Sequence, residues 1–439
     1  MVSGYTTEHV TKGYAHALLA NIAMTRAGWV IREKAKDGYE TADYSDPTYP
    51  TQRPDAATRT KLYELALSNL SAVITNGTHK LNPSVENQWY LINQRELDQN
   101  YHENIFEIPM GLGVSGELGY TVGVRVDGAT TEYGVKGNSS GKMKLTAPFF
   151  YSFDKKDLRR DITCSQVLLK ADNGVTKEIM LGNTPFGIYV GKWDIRKMNE
   201  EWRQAAIATG SAKWMSGINV VRARYPQVLL WYAEVMNELA GPDGDYIGSA
   251  GLTARQALAL VHTRAFADAD KADAQKYIDA IPVTKDAMFD AIVDENAWEL
   301  AGEGFRKFDL IRWNLLAEKI QEFKDTYYNE LMDESNPNYY PEKVYFNYTD
   351  DTKTKIDMSS VTWYGLPEGK ESSDYDDNES FYGAERDNPK TQLPINWPSI
   401  SSGLVGTNVQ VKNRYLLPIG STTISAANGY IHNSYGYSD

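Results

Sequence analysis

The segment ENAWELAGEGFRKFDLIRWN, Glu295 to Asn314, decides how this sequence is read. It spaces Glu295, Glu299 and Glu303 four residues apart, breaks over Gly302 and Gly304, and then sets Arg306, Asp309 and Arg312 at three-residue intervals. Residues three and four apart share a helix face. The spacing therefore predicts a helix with Ile292, Trp298 and Ala301 on its other face, a glycine corner, and a second helix. Glycine lets the backbone turn there with no Cβ in the way. The second helix is expected to carry an apolar stripe of Phe305, Phe308, Ile311 and Leu315 and to expose Arg306, Asp309 and Arg312. Two readings compete for the charged groups. A glycoside hydrolase needs a carboxyl pair, here Glu299 and Glu303. That chemistry keeps one carboxyl protonated, usually in an apolar pocket, whereas neighbouring arginines depress both pKa values. The residues thus favour a helix corner locked by charge-assisted bonds among Glu299, Glu303, Arg306, Asp309 and Arg312.

Helical periodicity extends outward from this corner. TKDAMFDAIVDENAWELA leads into it, with Thr284 at the N-cap and Asp286 in the first turn. TARQALALVHTRAFA follows Thr253, another N-cap. INVVRARYPQVLLWYAEVMNELAG, 218–241, reads as a helix whose buried side is Val228, Leu229, Tyr232, Val235, Met236 and Leu239, ended by Gly241-Pro242. Near the start, Tyr14, Leu18 and Ile22, with Leu19, Ala23 and Ala27 beside them, mark an amphipathic helix. Arg59 to Gly77 marks another through Leu62, Leu65, Ala66, Leu70 and Val73, with Gly77 as its stop. Two helices so joined suggest helical hairpins, although no repeat period can be traced over three copies. NIFEIPM, YTVGVRV and KEIMLG read as short strands among glycine-rich turns. Beyond Ala317 a polar, Asp/Tyr/Asn-rich stretch runs to about 400, and a loop of that length is more often functional than idle.

Composition narrows the function. The chain has 439 residues, a formal charge of −13 and no basic cluster, so nucleic acid is not expected as a partner. Its single cysteine, Cys164, excludes an internal disulfide and a cysteine-based zinc site. The histidines are scattered, with no H-E-x-x-H, and no G-x-S-x-G elbow occurs. Gly111-Leu-Gly113-Val-Ser-Gly116 matches a dinucleotide fingerprint in letters only, because strand-like sequence follows where a helix must open. In DYDDNESFYGAE, Asp374, Asp376, Asn378 and Ser380 alternate like calcium ligands and Glu385 stands twelfth. However, Glu379 occupies the position that needs glycine, which favours a solvated acidic loop. No metal or cofactor is predicted. Aromatics are abundant, with 29 tyrosines. They present flat apolar faces with polar tips, on which sugar rings stack.

The corner motif then identifies a resemblance. Glu299 to Trp313 is similar to the E-L-x-x-E-G-x-R-x-x-D-L-x-R-W signature of the SusD/RagB family of Bacteroidetes outer-membrane nutrient-binding lipoproteins. VVRARYPQVLLWYAEVMNEL, TARQALALVHTRA, ENIFEIP and YLLPIGSTTI resemble further family segments in the same order. Asn296 departs from the family's Arg, and Gly420 from its Pro or Gln.

The resemblance implies a mainly α fold, a SusD/RagB-like α-superhelix of tetratricopeptide-like hairpins with an irregular loop-rich part bearing short β-hairpins. Residues 1–439 would form one domain. Within it, 1–103 would hold the hairpins, 104–217 a loop-rich middle region, 218–320 the helical core with the motif, and 321–439 a loop-rich C-terminal region. It implies a non-catalytic protein of the extracellular face of the outer membrane. Such a protein binds oligosaccharide or polysaccharide and passes it to a SusC-like TonB-dependent transporter. Membrane association would come only through an N-terminal lipid anchor. The secretion signal and lipidated cysteine of the family are not in this chain, which is expected to be N-terminally incomplete. Aromatic platforms flanked by amide and charged groups would bind the glycan. The candidates are Trp89, Tyr120, Tyr133, Trp363, Tyr364 and Trp397. A hydrolase using Glu299 and Glu303, and a structural transporter partner with no ligand of its own, are the alternatives.

Overall fold

The computed structural model describes residues 6–112, 114–116, 118–128, 132–133, 140–181, 187–201, 203–204, 216–333, 335–336, 338–380 and 415–439. The first two helices, α1 (Lys12–Ala27) and α2 (Ala56–Asn76), form an antiparallel hairpin. The Thr11 hydroxyl caps α1 by accepting from the Tyr14 N–H, and Gly77 closes α2 in the left-handed conformation. α1 buries Met24 together with Ala17, Ala20, Ala23 and Ala27, and the small alanine side chains permit close approach to α2. Leu18, Leu19 and Ile22, marked by periodicity as an inward strip, are exposed instead. A third helix, α3 (Val85–Gln94), follows.

A short turn of helix, α4 (Leu118–Thr121), replaces part of the strand expected at YTVGVRV. α5 (Ala147–Ser152) and α6 (Leu158–Thr163) come next. The middle region is otherwise a set of small sheets. Val167–Asp172 pairs antiparallel with Val175–Met180, and Ile188–Val190 lies between Lys144–Leu145 and Cys164–Ser165.

The segment expected as one helix from 218 divides in two. Val220–Arg224 is a strand, paired antiparallel with Asn104–Ile108, and α7 (Tyr225–Ala240) begins only after it. Pro226, in the first turn, explains the division, since proline is tolerated there and not within a helix. The β-branched pair Val220-Val221 suits the strand. α7 is buried nearly all round and packs against α2, α8 (Ala254–Arg264) and α10 (Lys285–Leu300). α9 (Lys271–Ala280) lies against α8. Thr253 and Thr284 cap α8 and α10 as expected, Thr253 within a full capping box. α11 (Arg306–Arg312) turns off the glycine corner.

α12 (Leu316–Met332) extends the helical region past the point where a polar loop was expected. Leu316, Ile320, Phe323 and Tyr327 recur at three- and four-residue spacing along it. After it, Lys343–Tyr348 pairs with Ile356–Asp357 and Asp377–Ser380. The polar loop Asp374–Ser380 is therefore a turn and an edge strand. Its carboxylates accept local bonds: Asp376 from the Tyr348 N–H and Asp377 from the Tyr348 hydroxyl. Glu385 lies outside the described residues. No described helix is long and apolar enough to cross a membrane.

Candidate functional site

The glycine corner sits on a buried ion network. Glu299 is 2% exposed. Its Oε1 accepts from Arg224 Nη1 and Arg264 Nη2, both at 2.9 Å, and its Oε2 accepts from Arg159 Nη1 at 3.2 Å. Glu303 accepts from Lys192 Nζ at 2.7 Å and from Arg224 at 2.7 and 2.9 Å. Glu295 accepts from Arg159 and pairs with His262 Nδ1 at 2.7 Å. Glu103 and Asp157 complete the anionic side through Arg224, Arg264 and Arg159. Burial pushes the Glu299 carboxyl up, but Arg264, Arg224 and Arg159 outweigh it and hold the group well below the ordinary carboxylate range. It stays ionised, enclosed and fully partnered, and cannot hand a proton to a substrate.

The second half of the motif inverts the expected pattern. Asp309 and Arg312 are buried, while Phe308 is 69% exposed. Arg312 forks onto Glu234 and takes Asp309 through Nε at 2.8 Å. Arg306 donates to the Val293 carbonyl at 2.6 Å and to Asn296. The bidentate Glu234 on α7 and the acceptors of Arg306 on α10 draw the polar face inward. The displaced apolar stripe of Phe305, Phe308 and Ile311 walls a hollow of about 570 Å³ with Leu18, Trp29 and Leu416. Gln227 and Trp231 also line it, with the Gln227 amide and the Trp231 indole N–H unpartnered.

The predicted aromatics separate by burial. Trp89 is 1% exposed, edge-on to Trp193, with Lys192 and Arg224 over its ring at 4.8 and 5.3 Å. It covers the ion network and has no face open to a sugar. Tyr133 is buried in the same core cluster. Tyr120 falls in α4, and Trp397 lies outside the described residues.

Trp363 and Tyr364 are brought together in an open groove of about 600 Å³. Tyr151, Phe153, Lys155, Asn338 and Tyr339 also line it. Trp363 is 7% exposed, packed edge-on against Phe150, and its carbonyl accepts from the Tyr151 hydroxyl at 2.8 Å. Tyr364 is half-exposed. Its hydroxyl accepts from Arg160 Nη1 at 2.8 Å, and Lys155 Nζ stands 4.0 Å from its ring centre. The side chains of Arg159 and Arg160, neighbours on α6, thus serve the buried network and the groove rim respectively. Asp273, at the same groove, is held below its ordinary value by bonds from Lys276 and Lys156, so it offers no proton near neutrality. The groove combines aromatic faces with amide, ammonium and hydroxyl groups, a set that binds polar rings. The aromatic-lysine run FFYSFDKKD, 149–157, was the available signal for the contributions of Tyr151, Phe153 and Lys155.

The SusD family model matches residues 165–437. SusD-like protein P25 from Formosa agariphila is 34% identical over 106 residues, which are 24% of this chain and 17% of that protein. A SusD homolog from Bacteroides thetaiotaomicron superposes with a TM-score of 0.58 at 18% identity, over 96% of this chain and 63% of that one. Surface glycan-binding protein A from the same species gives 0.51 at 15% identity, over 100% of this chain and 66% of that one. At these identities the structural likeness is one of fold. This chain spans less than two thirds of the length of each of these three proteins.

Proposed function

This chain belongs to the SusD family, and on that premise we propose that it is a non-catalytic glycan-binding protein of the outer-membrane surface that passes oligosaccharide to a SusC-like TonB-dependent transporter. The observation that carries the reading is the open groove, where Tyr364 and the edge of Trp363 stand among Asn338, Tyr339, Lys155 and Asp154. Sugar rings stack on such faces while the flanking polar groups read hydroxyls. The hydrolase alternative loses its support because Glu299 and Glu303 are buried in ion pairs.

The test is calorimetric titration with malto-, laminari-, manno- and xylo-oligosaccharides, repeated on Tyr364→Ala. At least one series is expected to bind, and Tyr364→Ala weakens it by about tenfold, or roughly 1.4 kcal/mol. Flat titrations for every glycan sink the binding reading, and product release from a polysaccharide sinks the non-catalytic one. Co-purification with the transporter tests the partnership.

A further inference from the structure

Trp363 forms part of the wall of a second hollow, of about 340 Å³, which is also lined by Gln166, Asp161, Ser165, Lys197 and Ser359. Gln166 follows the strand Cys164–Ser165, and its carbonyl accepts from the Leu181 N–H at 2.9 Å. Its side chain, like that of Gln227, leaves its whole amide unmet. The residue is 1% exposed, yet neither the amide nitrogen nor the amide oxygen has a partner. Leaving such a group unmet costs stability, and native structures carry few of them.

Most cations around this hollow are engaged within the protein, and the exposed carboxylate of Glu86 also lines it. Arg160 pairs with Asp161, Arg196 with Asp194 and Glu178, and Lys197 donates to the Gly191 carbonyl. With its cations engaged and a carboxylate at its edge, the hollow suits a hydroxyl-bearing ligand rather than an anion. An amide that lacks both a donor and an acceptor partner matches hydroxyls, each of which donates and accepts. We propose that this hollow is a second sugar subsite. It shares Trp363 with the first groove, so a glycan chain held at Tyr364 continues past the indole and places a further residue against Gln166. This rests on the glycan-binding reading above and adds to it a preference for longer chains.

The experiment is calorimetric titration of the wild type, Gln166→Leu, Ser359→Trp and Tyr364→Ala with a ladder from disaccharide to hexasaccharide of the binding series. Leucine removes the unmet amide, so the unliganded Gln166→Leu protein melts no lower than the wild type, while its hexasaccharide-to-disaccharide affinity ratio falls about tenfold. Ser359→Trp fills the hollow from its exposed edge and lowers the same ratio without touching the core. Tyr364→Ala weakens every length. A ratio unchanged in both Gln166→Leu and Ser359→Trp, with Tyr364→Ala still weakened, overturns the second subsite and leaves the first. Absence of any glycan binding in the wild type overturns both.

Discussion

Arg224 Nη1 lies 2.9 Å from Glu299 Oε1, and the Nη2 of the same guanidinium lies 2.7 Å from Glu303 Oε1. One arginine, at the end of a strand paired with Asn104–Ile108, thereby clamps both sides of the glycine corner. Breaking a buried pair by removing one partner leaves an uncompensated charge and typically costs 3–5 kcal/mol. Glu299→Gln is therefore expected to lower the unfolding free energy by about 3–5 kcal/mol, measured by urea denaturation. Its glycan affinity, measured below the melting temperature, should stay within about twofold of wild type. A stable Glu299→Gln protein with lost function would return these carboxylates to the active-site reading.

Acid should undo the same network. Burial pushes Glu299 and Glu295 up, yet their cationic neighbours hold both below the ordinary value of 4.5. The unfolded chain then takes up protons first as pH falls, so the stabilisation is complete above about pH 4.5 and drains away below it. Glu103 opposes this in part, since burial raises its carboxyl despite Arg264 and Arg224. The urea midpoint of the wild type should fall steadily below pH 4.5, and that of Glu299→Gln should start lower and fall less steeply. Parallel slopes would show that Glu299 carries none of the dependence.

The two glycines of the corner are not equivalent. Gly302 and Gly304 both adopt left-handed backbone, with φ of 80° and 87°. A Cβ on Gly302 would stand 2.5 Å from Val190 Cγ1, while one on Gly304 would meet nothing within 4 Å. Gly304→Ala should cost about 1–2 kcal/mol, the conformational term alone. Gly302→Ala adds overpacking against a buried strand and should cost about 1–3 kcal/mol more. Equal losses in thermal or urea melts would contradict the packing seen at Val190.

Gln227 offers a gain in stability. Its amide is buried on α7 with both polar atoms unmet. Gln227→Met keeps the length of the side chain and removes the desolvated amide, so it should raise stability by roughly 1–3 kcal/mol. A fall in the melting temperature would mean that the amide is satisfied in solution.

Much of this fold was legible from spacing. The caps at Thr253 and Thr284 and the stop at Gly77 follow from local rules that tertiary context did not override, whereas Glu299 and Glu303, expected to bond within the motif, pair with Arg224, Arg264 and Lys192 from distant segments. Three further features were not legible in that way. Val220–Arg224 became a strand because its partner lies more than a hundred residues upstream, which periodicity cannot see. The exposure of Phe308 and burial of Arg312 depended on Glu234 waiting on another helix. Finally, an aromatic residue in a sequence carries no mark of depth. Trp89 and Tyr364 look equally suited to a sugar until one is covered by the core and the other left at the rim.

The adjacent arginines of α6 join these two regions. Arg159 is fixed from behind by Asp157, Glu295 and Glu299, and Arg160, one residue on, holds the Tyr364 hydroxyl at the groove. The rim tyrosine is thus immobilised before any ligand arrives, at the expense of folding rather than of binding. A sugar that meets it forfeits little side-chain freedom in the encounter, so affinity at the groove is set partly by the bond from Arg160 to Tyr364, which no ligand touches.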